Sequence, residues 1–163
     1  MSKPCIGLFG TCGSSKWRDK FIKRYQVKSI KFYNPLKADW KPEDSAEEAE
    51  HLVNDDIVLF PITSETFSTA SLAETGYSIL SAIRANDQRF VIIFIDPKVN
   101  ELLHHENPTA AKESSNSRAI VKAHLKKMNH PNIFVVDSLD KMLDVSVKLY
   151  KVVEAMQEVR SML

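Results

Sequence analysis

Phe90-Val91-Ile92-Ile93-Phe94-Ile95, FVIIFI, is an unbroken apolar run of six residues. A strand with one wet face would alternate polar and apolar side chains, whereas a short continuous run bounded by polar residues predicts a strand buried on both faces, as in a parallel sheet covered by helices. IVLF, residues 57–60, repeats the signal upstream. Outward from these two runs, strand-like segments at 4–10, 28–33, 56–62, 89–95 and 132–136 alternate with helical patterns at 15–25, 44–54, 69–85, 111–128 and 138–160. Such alternation predicts βαβ units. The expected fold is therefore α/β: a flavodoxin-like, doubly wound, five-stranded parallel sheet with helices on both faces.

The 163 residues suit a single domain spanning 1–163. With 44% hydrophobic and 26% charged residues the composition is that of an ordinary globular protein, and no apolar run approaches the roughly 20 residues of a membrane span. No membrane partner is expected. The amino-terminal MSKPCIGLFG lacks the longer apolar segment of a secretory signal, so a cytoplasmic location is expected. Lys plus Arg number 22 against 21 Asp plus Glu, leaving no net positive field for a nucleic-acid polymer. Cys5, inside an apolar run, reads as a core residue, and Cys12 lies in a Gly-Ser loop; together they match neither a redox pair nor a zinc pattern. His104-His105-Glu106 lacks the spacing that aims two histidines at one ion, and His51, His124 and His130 are scattered. No metal site is expected. Residues 98–117, polar and holding a proline, read as a surface loop or a lid.

In open parallel sheets, ligands bind beyond the carboxyl ends of the strands. That rule selects the loop Phe9-Gly10-Thr11-Cys12-Gly13-Ser14-Ser15, then Tyr33-Asn34-Pro35, then Thr63 to Ser71, with Glu74 one turn into the following helix. The first loop is small and hydroxyl-rich, so its backbone N–H groups could hold an anion or a sugar hydroxyl, but no phosphate-loop motif is present. Ser71-x-x-Glu74 has the form of a capping box. Glu74 thus has two readings, a helix cap or a carboxylate at the mouth of a site. Phe9, Trp17, Tyr33 and Trp40 could stack on a base or fill a core. Asn34 could serve a ligand or start the turn at Pro35.

Taken together, GTCGSSKWRDKFI, FYNPLKADW, EEAEHLVNDDIVLFPI and STASLAETGYS resemble the nucleoside 2-deoxyribosyltransferase superfamily, in its deoxyribosyltransferase-like branch, over about residues 5–96. The resemblance implies an enzyme that cleaves or exchanges the N-glycosidic bond of a 2'-deoxynucleoside, with Glu74 as nucleophile and Glu48 as second carboxylate. It implies substrate contacts from Phe9, Gly10, Thr11, Ser15, Trp17, Asn34, Trp40, Ser68 and Ser71. Ser68 stands where classical transferases have Asp, as in relatives that hydrolyse deoxynucleoside 5'-monophosphates. It also places Asn116-Ser117-Arg118 roughly where a neighbouring subunit's site would be, although a simple helix start explains them equally. The partner expected is a small nucleoside or nucleotide, with no metal or organic cofactor.

A carboxylate beside an anomeric carbon can trap an oxocarbenium-like state, and a helix N-terminus favours its anionic form. A non-catalytic nucleotide sensor and a phosphate-binding flavodoxin-like protein are the rival readings. On the last helix, Leu139, Met142, Leu143, Leu149, Val153 and Met156 form one face, and Val145, Val152 and Val159 a second stripe. The second stripe predicts a homodimer or higher homo-oligomer.

Overall fold

A computed structural model describes residues 3–39, 41–75, 84 and 88–163. Strands β1 (Ile6–Leu8), β2 (Phe32–Tyr33), β3 (Ile57–Ile62), β4 (Phe90–Ile95) and β5 (Ile133–Val136) form one sheet in the order β2-β1-β3-β4-β5. Every pairing is parallel, and β3 and β4 run in register from Ile57 opposite Phe90 to Ile62 opposite Ile95. This is the flavodoxin-like order expected from the alternating pattern, with its switch point between β1 and β3.

The apolar runs at 57–62 and 90–95 are continuous because both faces of the sheet are covered. One face packs Ile6, Leu8, Ile57, Leu59 and Ile92 against helices α1 (Trp17–Val27) and α6 (Leu139–Ser161) through Trp17, Phe21, Tyr25, Met142 and Leu143. The other buries Phe9, Val58, Phe60, Ile62, Val91 and Ile93. It is covered by Leu52 of α2 (Asp44–Asn54), by Leu72 of α3 (helical over the described residues 69–75), and by Val121 and Leu125 of α5 (Pro108–Met128). The rest of the helix expected at 69–85 and the candidate Trp40 lie largely outside the described residues.

Residues 98–117 depart from the expected loop. They form α4 (Glu101–Glu106) and the first half of α5. Asn100 accepts from the backbone N–H of Leu103, Asn107 accepts from that of Ala110, and Pro108 occupies the first helical turn, where its missing N–H costs nothing. Polar composition hid α4 and the first turn of α5, whose remainder matches the helical pattern at 111–128. Among the described residues no helix is long and apolar enough to cross a membrane.

Candidate active site at the carboxyl rim of the sheet

Where strands run out into loops, buried carbonyls lose their ladder partners, and each needs a donor. Two arginines supply them. Arg18, on the sheet side of α1, donates from Nε to the carbonyl of Leu8 at 3.0 Å and from Nη1 to that of Thr11 at 2.7 Å. Its guanidinium also lies 4.6 Å from the Trp17 ring centre. Arg118, in the middle of α5 and 0% exposed, donates to the carbonyls of Thr63 at 3.0 Å, Thr66 at 2.8 Å and Asp96 at 3.1 Å. It also reaches Ser114 Oγ at 3.1 Å and Ser68 Oγ at 3.3 Å.

Most of the hydroxyl-bearing candidates belong to this clamp. Thr11 Oγ1 accepts from the Thr63 backbone N–H at 3.0 Å and lies 3.2 Å from Ser68 Oγ, while Ser15 Oγ lies 2.9 Å from Thr63 Oγ1. Thr11, Ser15, Ser68 and Ser71 are all buried. Ser68 carries a left-handed φ of 54° just ahead of α3. Gly10 has φ 86°, and a Cβ there would stand 2.4 Å from the Pro61 carbonyl, so the loop's close approach to β3 demands glycine. Phe9 is a core residue. Trp17 is buried as well, and its indole N–H donates to the Thr11 carbonyl at 3.0 Å. Asn34 Oδ1 accepts from the backbone N–H of Leu36 at 3.1 Å, forming the turn at buried Pro35.

Ser71 lies inside α3, which starts at residue 69, so Ser71 and Glu74 do not form a capping box. Glu74 is exposed as a residue, yet protein around its carboxyl raises its pKa, first by desolvation and then through the negative charge of Glu48. The two candidate carboxylates are therefore close enough for the charge of Glu48 to act on Glu74. Glu48 lies on α2, and its charge is also felt by Arg18 and by Tyr33 at the end of β2. The Tyr33 hydroxyl is held protonated by burial and by Glu47 and Glu48. Thus the structure brings together Glu74, Glu48 and Tyr33, at the switch point between β1 and β3. Hollows of about 470 Å³ between α1 and α6 and about 440 Å³ between α3 and α5 include neither glutamate.

Arg18 and Arg118 were not singled out as rim residues by the sequence reading. A signal for Arg118 exists: Ala111, Ser114, Arg118, Val121 and Leu125 follow the three-four spacing of one helical face, and this face is turned to the sheet. The position that the resemblance gave Asn116-Ser117-Arg118 is corrected by the same observation, since Arg118 is enclosed within its own chain and the segment lies mid-helix.

No protein-family model matches the chain, and no characterised protein matches it in sequence. Among solved structures, it is similar to the RPS4 and RRS1 TIR domain heterodimer, at 8% identity and a TM-score of 0.57, over 94% of this chain and 99% of that one. It is also similar to the TIR domains of the activated Roq1 resistosome directly recognizing the pathogen effector XopQ, at 12% identity and a TM-score of 0.51, over 90% of this chain and 98% of that one. The fold is that of TIR domains.

These matches overturn the resemblance to nucleoside 2-deoxyribosyltransferases and the deoxyribosyl exchange, deoxynucleotide hydrolysis and glycosyltransferase class drawn from it. The physical reason lies in the motifs. Trp17 and Arg18 of WRD close the end of β1, Asn34-Pro35 makes a turn, and Ser68 completes the Arg118 clamp. Each motif residue has work that any doubly wound sheet of this order can require, so the motifs report the fold rather than the chemistry.

Proposed function

We propose that the chain is a TIR-like module whose carboxyl rim hydrolyses the N-glycosidic bond of a nucleotide with a positively charged base. The supporting observation is the mutual field of Glu74 and Glu48 at the switch point. Two carboxylates stabilise a sugar carbon as it becomes cationic, and neither is well suited to protonate a departing base while ionised. A base that is already a cation, such as the pyridinium of a nicotinamide nucleotide, leaves neutral and needs no acid. In that step the C1–N bond breaks and its electron pair returns to the ring nitrogen. A water oxygen bonds to C1, and its proton passes to Glu74, whose raised pKa suits it to accept one. Tyr33, which feels the charge of Glu48, is a half-buried ring with one face stacked on His51, and a base or sugar can rest against its edge or its other face. Cytosolic residence belongs to this reading and agrees with two unpaired cysteines, Cys5 and Cys12.

Incubation with nicotinamide adenine dinucleotide, followed by measurement of free nicotinamide, tests it. Release by the native chain, lowered about 10²–10⁴-fold in Glu74→Gln without loss of thermal stability, is the expected result. No release, or release undiminished in Glu74→Gln, overturns it.

Assembly is the second reading, favoured by one feature of α6. Met142, Leu143 and Val153 are buried, and Val145 and Leu149 pack at the core's edge, but Val152, Met156 and Val159 are 48%, 44% and 58% exposed. Their spacing forms a single apolar strip on the outer face. The TIR domains of RPS4 and RRS1 form a heterodimer, and those of Roq1 belong to a resistosome. We infer self-association through this strip, read by light scattering at micromolar concentration. Dimers lost in Met156→Lys support it, and a monomeric native chain refutes it.

A further inference from the structure

At the opposite rim, where strands begin, β1 and β3 pair in parallel, so the residues preceding each lie side by side. Cys5 stands just before β1, and its carbonyl accepts from the Ile57 backbone N–H at 3.2 Å. Asp55 ends α2, where its own N–H bonds the His51 carbonyl at 2.9 Å, and the four-residue step places both side chains on one side of the helix. One potential ligand atom from each of Cys5, His51 and Asp55 lies within 4.8 Å of the others.

We propose that Cys5, His51 and Asp55 form a binding site for a zinc-class divalent cation. Thiolate, imidazole and carboxylate are the donor set that such a borderline ion takes, and three protein donors leave a fourth position for water. A tetrahedral ion with bonds of about 2.0–2.3 Å needs roughly 3.3–3.8 Å between ligand atoms, so a modest inward turn of the side chains closes the set. The second observation is Asp55 itself. It is 3% exposed, and its Oδ2 has no hydrogen-bond partner among the described residues, while Oδ1 lies 2.9 Å from His51 Nδ1. The Asp55 carboxyl turns toward the Cys5 thiol and feels the charge of Arg89, but a buried carboxylate oxygen with no well-formed hydrogen bond is costly, and a cation shared with that thiol satisfies it.

The surroundings fit. Gly7, the next residue on the Cys5 face of β1, leaves room for that carboxylate, since a Cβ there would stand 2.7 Å from Asp55 Oδ2. The His51 ring is braced flat against Tyr33, with centroids 3.6 Å apart and planes 6° apart, and its side chain is 31% exposed, which gives an ion an entry path. On binding, the Cys5 S–H bond breaks, its proton leaves to solvent, and the sulfur's electron pair forms the bond to the metal. One thiolate and one carboxylate then cancel the two positive charges of the ion; the guanidinium of Arg89 feels the field of Asp55 and then of Asp56, and Asp56 stays outside the ligand set to balance it.

Titrating the purified chain with Co²⁺ tests the site. The expected result is one equivalent bound with a thiolate-to-metal charge-transfer band, displaced by Zn²⁺ and kept in Cys12→Ser. The band is lost in Cys5→Ser, and affinity falls by at least about 100-fold in His51→Gln, since outer-shell losses alone cost 10–100-fold. Absence of the band, a band kept in Cys5→Ser but lost in Cys12→Ser, or His51→Gln binding as tightly as the native chain overturns the proposal. His51 is partly exposed and can be replaced without opening the core, so this variant decides the matter even where Cys5→Ser does not fold.

Discussion

The two rims of the sheet solve the problem of buried charge differently. At the carboxyl rim, Arg18 and Arg118 face strand-end and loop carbonyls, and their guanidinium groups are met by backbone and hydroxyl oxygens at 2.7–3.4 Å. At the amino rim, Arg89 is just as buried, but it donates only from Nη1, to the Leu52 carbonyl at 2.5 Å, while its Nε and Nη2 find no partner among the described residues. Asp55 Oδ2 shares that condition, and burial raises its carboxyl's pKa despite the bond to His51. The contrast lies in what each guanidinium meets: loops that leave β1, β3 and β4 turn carbonyls and hydroxyls onto Arg18 and Arg118, whereas Arg89 meets the Leu52 carbonyl. The satisfied rim is framework, with Glu74 and Glu48 placed outside it. The unsatisfied rim holds polar atoms with bonds still to make.

Removing the clamp gives the largest effect. Arg118→Met strips donors from four carbonyls and two hydroxyls, so chemical denaturation is expected to show a loss of about 3–5 kcal/mol. A loss below about 1 kcal/mol would erase the distinction between the rims. Gly10→Ala comes next: it forces a side chain against the Pro61 carbonyl at a left-handed φ, at an expected cost of about 2–3 kcal/mol in the same assay. Arg89→Met is expected to cost no more than about 1–2 kcal/mol, because it gives up one hydrogen bond and relieves two unpaired donors. If Arg89→Met proves as damaging as Arg118→Met, the amino rim is as well satisfied as the other.

The smallest effect is a shift in a pH profile. Glu74 acts as an anion in the proposed hydrolysis, and its pKa is raised, so the rate should climb with pH through a midpoint above the ordinary glutamate value of 4.5. The sign of the Glu48 contribution is fixed: its negative charge disfavours ionisation of Glu74, so Glu48→Gln should move that midpoint downward. An upward or absent movement in a pH–rate series would separate the two carboxylates.

Legibility in the sequence followed the same division. The sheet was readable because 57–62 and 90–95 are apolar without a break, and the helix at 44–54 was bounded correctly by its acidic start and the turn at Asp55. Glu74 was selected by its place after β3, while Glu48 was paired with it only through the family resemblance; the electrostatic influence of Glu48 on Glu74 is what the structure adds. The chemistry attached to them was not readable. Trp17, Asn34 and Ser68 imitate ligand-binding motifs while closing strand ends and turns, and residue type alone does not distinguish a hydroxyl bonded to Arg118 from one offered to a sugar. Cys5 and His51 were judged separately and dismissed, because residues 46 positions apart in the chain meet only once β1 and β3 have paired.

The last helix reaches back to the beginning of the chain. Ser146 meets the Tyr25 hydroxyl at 2.5 Å, the Tyr150 hydroxyl accepts from the Lys31 backbone N–H at 3.4 Å, and Gln157 donates to Asp56 at 3.2 Å. During synthesis, then, the face of the sheet that α1 covers stays half-dressed until residues near 157 have cleared the ribosome. A nascent chain stalled before that point carries an open greasy flank, a natural client for a chaperone, and becomes self-sufficient only when its tail has docked.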